Sequence, residues 1–278
     1  MTNPHGRFIW YELMSPDPDA SKVFYDAVVG WDLEPEPAGE MDYRMIRRGD
    51  GGISGGVMRL SDEMQQHGAR PGWLGYVGVN DVDAMVGAVE LHGGKTLMPA
   101  HDLPGVGRFA MIADPQGVPL YIMKPTRPPG QDDADSDVFS VDQPQHVRWN
   151  ELATTDPDAA VHFYQQHFGW HQKGEMDMPV LSEVEGGAMG KYRFLQHGGA
   201  GIGAVMPRPP QMLVSRWSYY IGVDDIDRAA MAVEAGGGTI VHGPVEIPGG
   251  EYSLNAVDPQ QALFGLVGPR KNQGAADA

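Results

Sequence analysis

Two acidic residues occupy stretches that should be buried. Glu12 lies inside Trp10-Tyr11-Glu12-Leu13, and Glu151 lies inside Trp149-Asn150-Glu151-Leu152. A carboxylate taken out of water needs a hydrogen-bonding partner or a raised pKa. Either condition suits a general base or an acceptor for a bound ligand, so Glu12 and Glu151 are the candidate catalytic residues. The alternative is structural: each acid bonds a backbone amide or an arginine across a sheet, and Arg44 and Arg193 stand at matched positions to serve. Aromatic residues form the second set: Trp10, Tyr43, Tyr76 and Tyr121, then Trp149, Tyr192 and Tyr220. Such rings stack on flat ligands and carry a polar tip, although packing in a core uses them equally well.

Other chemistries are excluded or disfavoured. The chain has no cysteine, which removes thiolate catalysis, disulfides and cysteine-ligated metals. The histidines show no His-x-His pair, and Gly169-Trp170 interrupts the four-residue spacing of His167 and His171. His67, His92, His162, His167, His171 and His197 are therefore expected on the solvated surface. His146, at an odd spacing from Trp149, is expected to face away from it, and His5 has no repeat equivalent. Gly51-Gly52 and Gly55-Gly56 lack a phosphate-loop lysine, so they predict close backbone approach rather than nucleotide binding. The net charge of −17 argues against nucleic-acid and anionic-membrane partners. Met1 to Arg7 is polar, and no apolar run approaches the ~20 residues of a membrane span, so a cytoplasmic location is expected.

What positions these residues is a repeat. Trp10/Trp149, Glu12/Glu151, Asp17-Pro18-Asp19-Ala20/Asp156-Pro157-Asp158-Ala159, Phe24-Tyr25/Phe163-Tyr164 and Gly30-Trp31/Gly169-Trp170 correspond, and Tyr43-Arg44 corresponds to Tyr192-Arg193. Trp73 to Pro125 then matches Trp217 to Pro269 without a gap. Residues 126–145 are Pro-rich, then acidic, which is linker composition. Expected domains are 1–125 and 146–270, with a tail at 271–278. A fainter repeat lies within each half. An Asp-x-Asp element opens a helix at Asp17, Asp81, Asp156 and Asp225, because an N-cap carboxylate accepts from the free amides of the first turn. Gly93-Gly94 and Gly237-Gly238 suit left-handed C-caps. Strand-like runs surround each helix: Phe8 to Leu13, Tyr43 to Ile46, Ile53 to Met58, Trp73 to Val79, Phe109 to Ala113 and Leu120 to Met123. Each unit reads strand, helix, then about three strands, and the fold class is α+β.

These phrases, with Pro104-Gly105-Val106-Gly107-Arg108-Phe109 and Asp114-Pro115-Gln116-Gly117, resemble the vicinal-oxygen-chelate superfamily of glyoxalases, bleomycin-resistance proteins and extradiol dioxygenases. The resemblance implies four βαβββ modules forming two glyoxalase-like cups in one chain. It also implies either a monomer that mimics the family dimer or a homodimer. Trp10, Tyr43, Tyr76 and Tyr121 would line the first cup, and Trp149, Tyr192, Tyr220 and Asn255 the second. Metal-dependent relatives place His or Glu on the first and last strands of each module. Counting in this chain puts Trp10, Leu74, Tyr121 and Gly55 or Gly56 at those positions in the first half. The second half offers Trp149, Ser218, Gly265 and Gly203 or Ala204. That set is not a ligand quartet, and a bulge before Asp17 that made Glu12 the inward ligand would supply only one carboxylate per cup, so no metal site and no cofactor is expected, with a divalent metal as the alternative. The expected function is binding of a small hydrophobic or carbonyl-bearing molecule. The alternative is a glyoxalase-like lyase or other carbonyl-chemistry enzyme using a divalent metal or a Glu base.

Overall fold

A computed structural model describes residues 5–126, 135–178 and 190–271. The first acidic residues of the linker (Asp132, Asp133) and all but the first residue of the 271–278 tail lie outside them.

The four predicted Asp caps are present. Helix α1 (Pro18–Val29) starts at Asp17, whose side chain accepts from Ala20 N, and ends at Gly30 with φ 81°. Helix α4 (Pro157–Phe168) repeats this with Asp156, Ala159 N and Gly169 at φ 68°. Helices α3 (Val82–Leu91) and α5 (Ile226–Ala235) are capped by Asp81 and Asp225. Gly93 and Gly237 follow them with φ 87° and 83°, as the glycine pairs predict. The short helix α2 (Asp62–Gln66) has no repeat counterpart and was not legible in the pattern.

Sixteen strands are found among the described residues. In the first half they are β1 (Phe8–Ser15), β2 (Asp32–Leu33), β3 (Tyr43–Arg47), β4 (Ile53–Arg59), β5 (Gly72–Gly78), β6 (Lys95–Leu103), β7 (Gly107–Ala113) and β8 (Pro119–Pro125). In the second they are β9 (Val147–Thr154), β10 (His171–Asp177), β11 (Lys191–His197), β12 (Ala200–Pro207), β13 (Arg216–Gly222), β14 (Thr239–Glu246), β15 (Tyr252–Val257) and β16 (Leu263–Gly268). They form two mixed eight-stranded sheets, ordered β2-β3-β4-β1-β5-β8-β7-β6 and β10-β11-β12-β9-β13-β16-β15-β14. The first strand of each module pairs parallel with its last, as β1 does with β4 and β13 with β16, and the intervening hairpins are antiparallel. The fold is α+β.

Packing groups the chain into two units. One comprises Met1–Trp10, Leu74–Ser136 and Trp149–Ser218; the other comprises Tyr11–Trp73, Asp137–Arg148 and Tyr219–Ala278. Each combines a module from one half of the sequence with a module from the other. In the first unit, Tyr164 of α4 packs on Trp170 and Trp217, and Phe8 stacks on Trp170. In the second unit, Tyr25 of α1 packs on Trp73 and Phe264. The tyrosines anchor two equivalent buried chains. Tyr164 Oη donates to Asp114 Oδ2 at 3.0 Å and accepts from Trp217 Nε1 at 3.2 Å. Tyr25 Oη donates to Asp258 Oδ2 at 3.0 Å and accepts from Trp73 Nε1 at 3.0 Å. The matched Phe-Tyr and Asp-Pro-Gln phrases thus meet across the two halves, a pairing that the repeat alone did not reveal.

Described residues of the linker are engaged. In the first unit, Arg7 pairs with Asp135 and Ser136 Oγ donates to Ile9 O. In the second, Trp31 Nε1 and Ser54 Oγ both donate to Gln145 O.

Candidate functional site

In the first unit, three of the proposed site residues form one hydrogen-bonded relay. Trp149 Nε1 donates to Tyr192 Oη at 2.7 Å, and Tyr192 Oη donates to Glu151 Oε2 at 2.8 Å. Strand β9 places Trp149 and Glu151 two residues apart, hence on one face. Strand β11 presents Tyr192 and Phe194 to them, and the Phe194 ring lies 6.2 Å from that of Trp149. The same alternation sends Arg193 to the opposite face, where it pairs with Asp158 of α4. Arg193 is therefore tied to the helix, while a tyrosine holds Glu151.

The other aromatic candidates of this unit are packed together. Tyr76 and Tyr121 are register partners in the β5–β8 ladder, and their rings stack with centroids 4.2 Å apart. Both are buried, and with Ile9 and Met123 they form a cluster against which Trp10, Leu74, Met98, Phe109 and Met111 pack.

In the second unit, Glu12 is 3% exposed and stands opposite Gly56 in the β1–β4 ladder. The Tyr43 phenol lies over Gly56, so close that a Cβ there would sit 2.3 Å from Tyr43 Oη. Glycine at this position makes room for the ring beside Glu12. Arg44 points elsewhere, into Asp19 and Asp42. Tyr220 and Asn255 bond each other, with Asn255 Nδ2 donating to Tyr220 Oη at 3.0 Å. The Tyr220 ring fills the space a side chain at Gly265 would need, with ring carbons 2.4 Å from the would-be Cβ.

These contacts decide how well a divalent ion would fit. At the counted ligand positions, Tyr121 is stacked on Tyr76 and the Gly265 position is filled by Tyr220. A Cβ at Gly55 would meet Tyr11 O at 2.1 Å. Among the described residues no group of three or more His, Asp or Glu is arranged to hold a metal ion. The described residues at these positions do not fit the family metal.

One histidine expectation is overturned. His67, His92, His162 and His171 are exposed and His197 is half-buried, but His167 is buried. It follows Ala160, Phe163 and Tyr164 on the buried stripe of α4, at a helical spacing that could have been read from the sequence. The His167 ring lies 5.1 Å from that of His92, its backbone oxygen takes His5 Nε2 at 2.7 Å, and its own Nε2 is buried without a hydrogen-bond partner. Burial first, then the nearby His92 and His5, lower its pKa to about 4. The folded state therefore favours a neutral ring. The stability it contributes is present above the ordinary value of 6.5 and is lost as pH falls towards 4. The loss should reach about 3 kcal/mol, at 1.36 kcal/mol per pKa unit. Urea unfolding between pH 7 and 4 should show this slope in the wild type and lose it in His167→Leu; equal slopes would contradict the assignment.

No described helix is long and apolar enough to cross a membrane. The model of the Glyoxalase/Bleomycin resistance protein/Dioxygenase superfamily matches residues 7–122 and 143–265. The chain is 32% identical over 270 residues to "Putative glyoxylase CFP32" of Mycobacterium tuberculosis, covering 95% of each protein. It is 28% identical to the anthracycline biosynthesis protein DauV of Streptomyces sp. strain C5, covering 96% of this chain and 94% of that one. Among solved structures, an extradiol ring-cleaving dioxygenase from B. fuscum aligns with TM-score 0.63 at 16% identity, covering 99% of this chain and 75% of the other. The Mn(II)-bound glyoxalase from Novosphingobium aromaticivorans aligns with TM-score 0.59 at 17% identity, covering 96% and 83%. These two likenesses concern the fold. With two family repeats matched along its length and a relative similar from end to end, the chain belongs to the glyoxalase/bleomycin resistance protein/dioxygenase superfamily.

Proposed function

We propose that the protein binds a small, partly aromatic molecule on the face that carries Trp149, Tyr192, Glu151 and Phe194, without the divalent metal used elsewhere in the superfamily. The relay from Trp149 through Tyr192 to Glu151 carries this reading. It orients an indole, a phenol and a carboxylate on one face, which suits an aromatic ligand bearing a polar group. The similarity to a protein named for anthracycline biosynthesis supports a flat polycyclic ligand. Glu12, beside Tyr43 over Gly56, is the equivalent acid of the first repeat and a candidate for the same role.

The test uses anthraquinone-2-carboxamide as a neutral flat probe, with metal content of the purified protein measured in parallel. Binding to metal-free protein is expected. Glu151→Gln should weaken it about tenfold, the loss of about 1.4 kcal/mol expected for one charged hydrogen bond. Unchanged affinity with a lowered melting temperature would return Glu151 to a structural role.

A second reading makes Glu151 or Glu12 the base of a glyoxalase-like reaction, and the mycobacterial relative's name favours it. Turnover of methylglyoxal with a thiol, assayed with and without added divalent metal, separates the two. Turnover with stoichiometric metal would replace the binding reading with the enzymatic one.

A further inference from the structure

We propose that Arg216 is the anion anchor of this ligand face, so that the second repeat selects aromatic molecules bearing a carboxylate or a similar oxyanion. The inference rests on the binding reading above and adds the chemical class of the ligand.

Strand direction places Arg216 there. Its neighbour Trp217 turns towards α4, donating to Tyr164 Oη and packing on Trp170 and Phe8. Successive residues of a strand alternate sides, so Arg216 points to the side of the sheet away from α4. In β11 the same rule holds. Arg193 reaches Asp158 of α4, which leaves Tyr192 and Phe194 on the far side with Trp149 and Glu151. Strands β9 and β13 are neighbours in the sheet. Arg216 therefore shares a face with the Trp149–Tyr192–Glu151 relay.

Its electrostatic situation is unusual for this chain. Arg44, Arg48, Arg148 and Arg193 each reach a carboxylate. Arg216 is half-buried, its side chain makes no hydrogen bond or ion pair among the described residues, and its Nε is buried without a partner. Burial lowers its pKa, and no acid among the described residues offsets this. A protein of net charge −17 has carboxylates in excess, yet none among the described residues pairs with this guanidinium. A guanidinium fork with unused donors in a partly desolvated position is the usual receptor for a planar oxyanion. The first repeat has Gly72 at the matching position, so the two repeats differ in this feature.

The experiment compares anthraquinone-2-carboxylate with anthraquinone-2-carboxamide, which differ in charge and little in shape. Wild-type protein should bind the carboxylate at least tenfold more tightly, and raised salt should shrink that preference. Arg216→Gln should erase the preference while leaving carboxamide affinity and the melting temperature unchanged. Equal wild-type affinities would overturn the proposal without using any variant, and leave the binding reading in place. A preference that survives in Arg216→Gln would overturn it too, as would an equal loss for both probes. Failure of both probes to bind would overturn the binding reading along with it.

Discussion

Gly203→Ala is expected to destabilise the protein by about 3–5 kcal/mol, the range of the severest single substitutions. Gly203 stands opposite Asn150 in the parallel β9–β12 ladder. A methyl group at Gly203 would sit 1.8 Å from Asn150 O and 2.8 Å from its carbonyl carbon. Both atoms are backbone, so no rotamer change relieves the clash. The strands must separate, and β9 carries Trp149 and Glu151. Gly201→Ala is the control, because its Cβ would meet only the Trp149 ring, at 3.7 Å, an ordinary contact. That change should stay within about 0.5 kcal/mol. Chemical unfolding of the two variants measures the difference, and similar stabilities would contradict the register described for β9 and β12. Gly55 faces the same constraint against Tyr11 O in the first repeat, as the glycine pairs suggested.

Asp114→Ala should be the next most damaging change, at about 3–4 kcal/mol, because three hydrogen bonds to one buried side chain disappear together. Asp114 Oδ1 accepts from Gln116 N and Val118 N at 2.9 and 2.8 Å, and Oδ2 accepts from Tyr164 Oη. The turn and the helix α4 are thus tied through a single carboxylate. Burial raises the Asp114 pKa even though these donors act to lower it. Because the folded-state value is raised, the carboxyl contributes most below its ordinary value of 3.8 and progressively less as pH rises through the raised value. The cost of Asp114→Ala should therefore be larger near pH 4 than at pH 7. Asp258, held by the equivalent chain of Tyr25 and Trp73 and with the same direction of shift, should behave alike. Unfolding free energies at both pH values check the sign, and a larger cost at pH 7 would refute it.

Much of this protein is written locally. The repeated Asp-x-Asp caps, the glycines after α3 and α5 and the alternating apolar runs each report a constraint that acts within a few residues, so the elements and the α+β class follow from them. Strand β6 escaped, since its nine residues are largely exposed and carry little apolar signal. Helix α2 escaped because a five-residue helix with no buried side chain leaves no periodic stripe. His167 was legible and misread: the residue type suggested solvent, while the helical spacing of its apolar neighbours placed it inside.

The candidate residues themselves were recoverable as types in strands, but their partners were not. Glu151 could equally have met Arg193 or Tyr192, since both lie on β11. One residue of β11 shifts the choice, because alternation sends Arg193 to α4 and Tyr192 to the acid. The union of Tyr25 with Asp258 and Tyr164 with Asp114 spans 233 and 50 residues, a distance at which composition and periodicity carry no signal. The sequence alone determined where the capped helices and the apolar strands form and that cysteine chemistry is impossible, because those depend on residue type and near neighbours. Only the tertiary structure decided which acid is held by which tyrosine and which arginine has no acid among the described residues, because those depend on strand order and on the side of the sheet each residue faces.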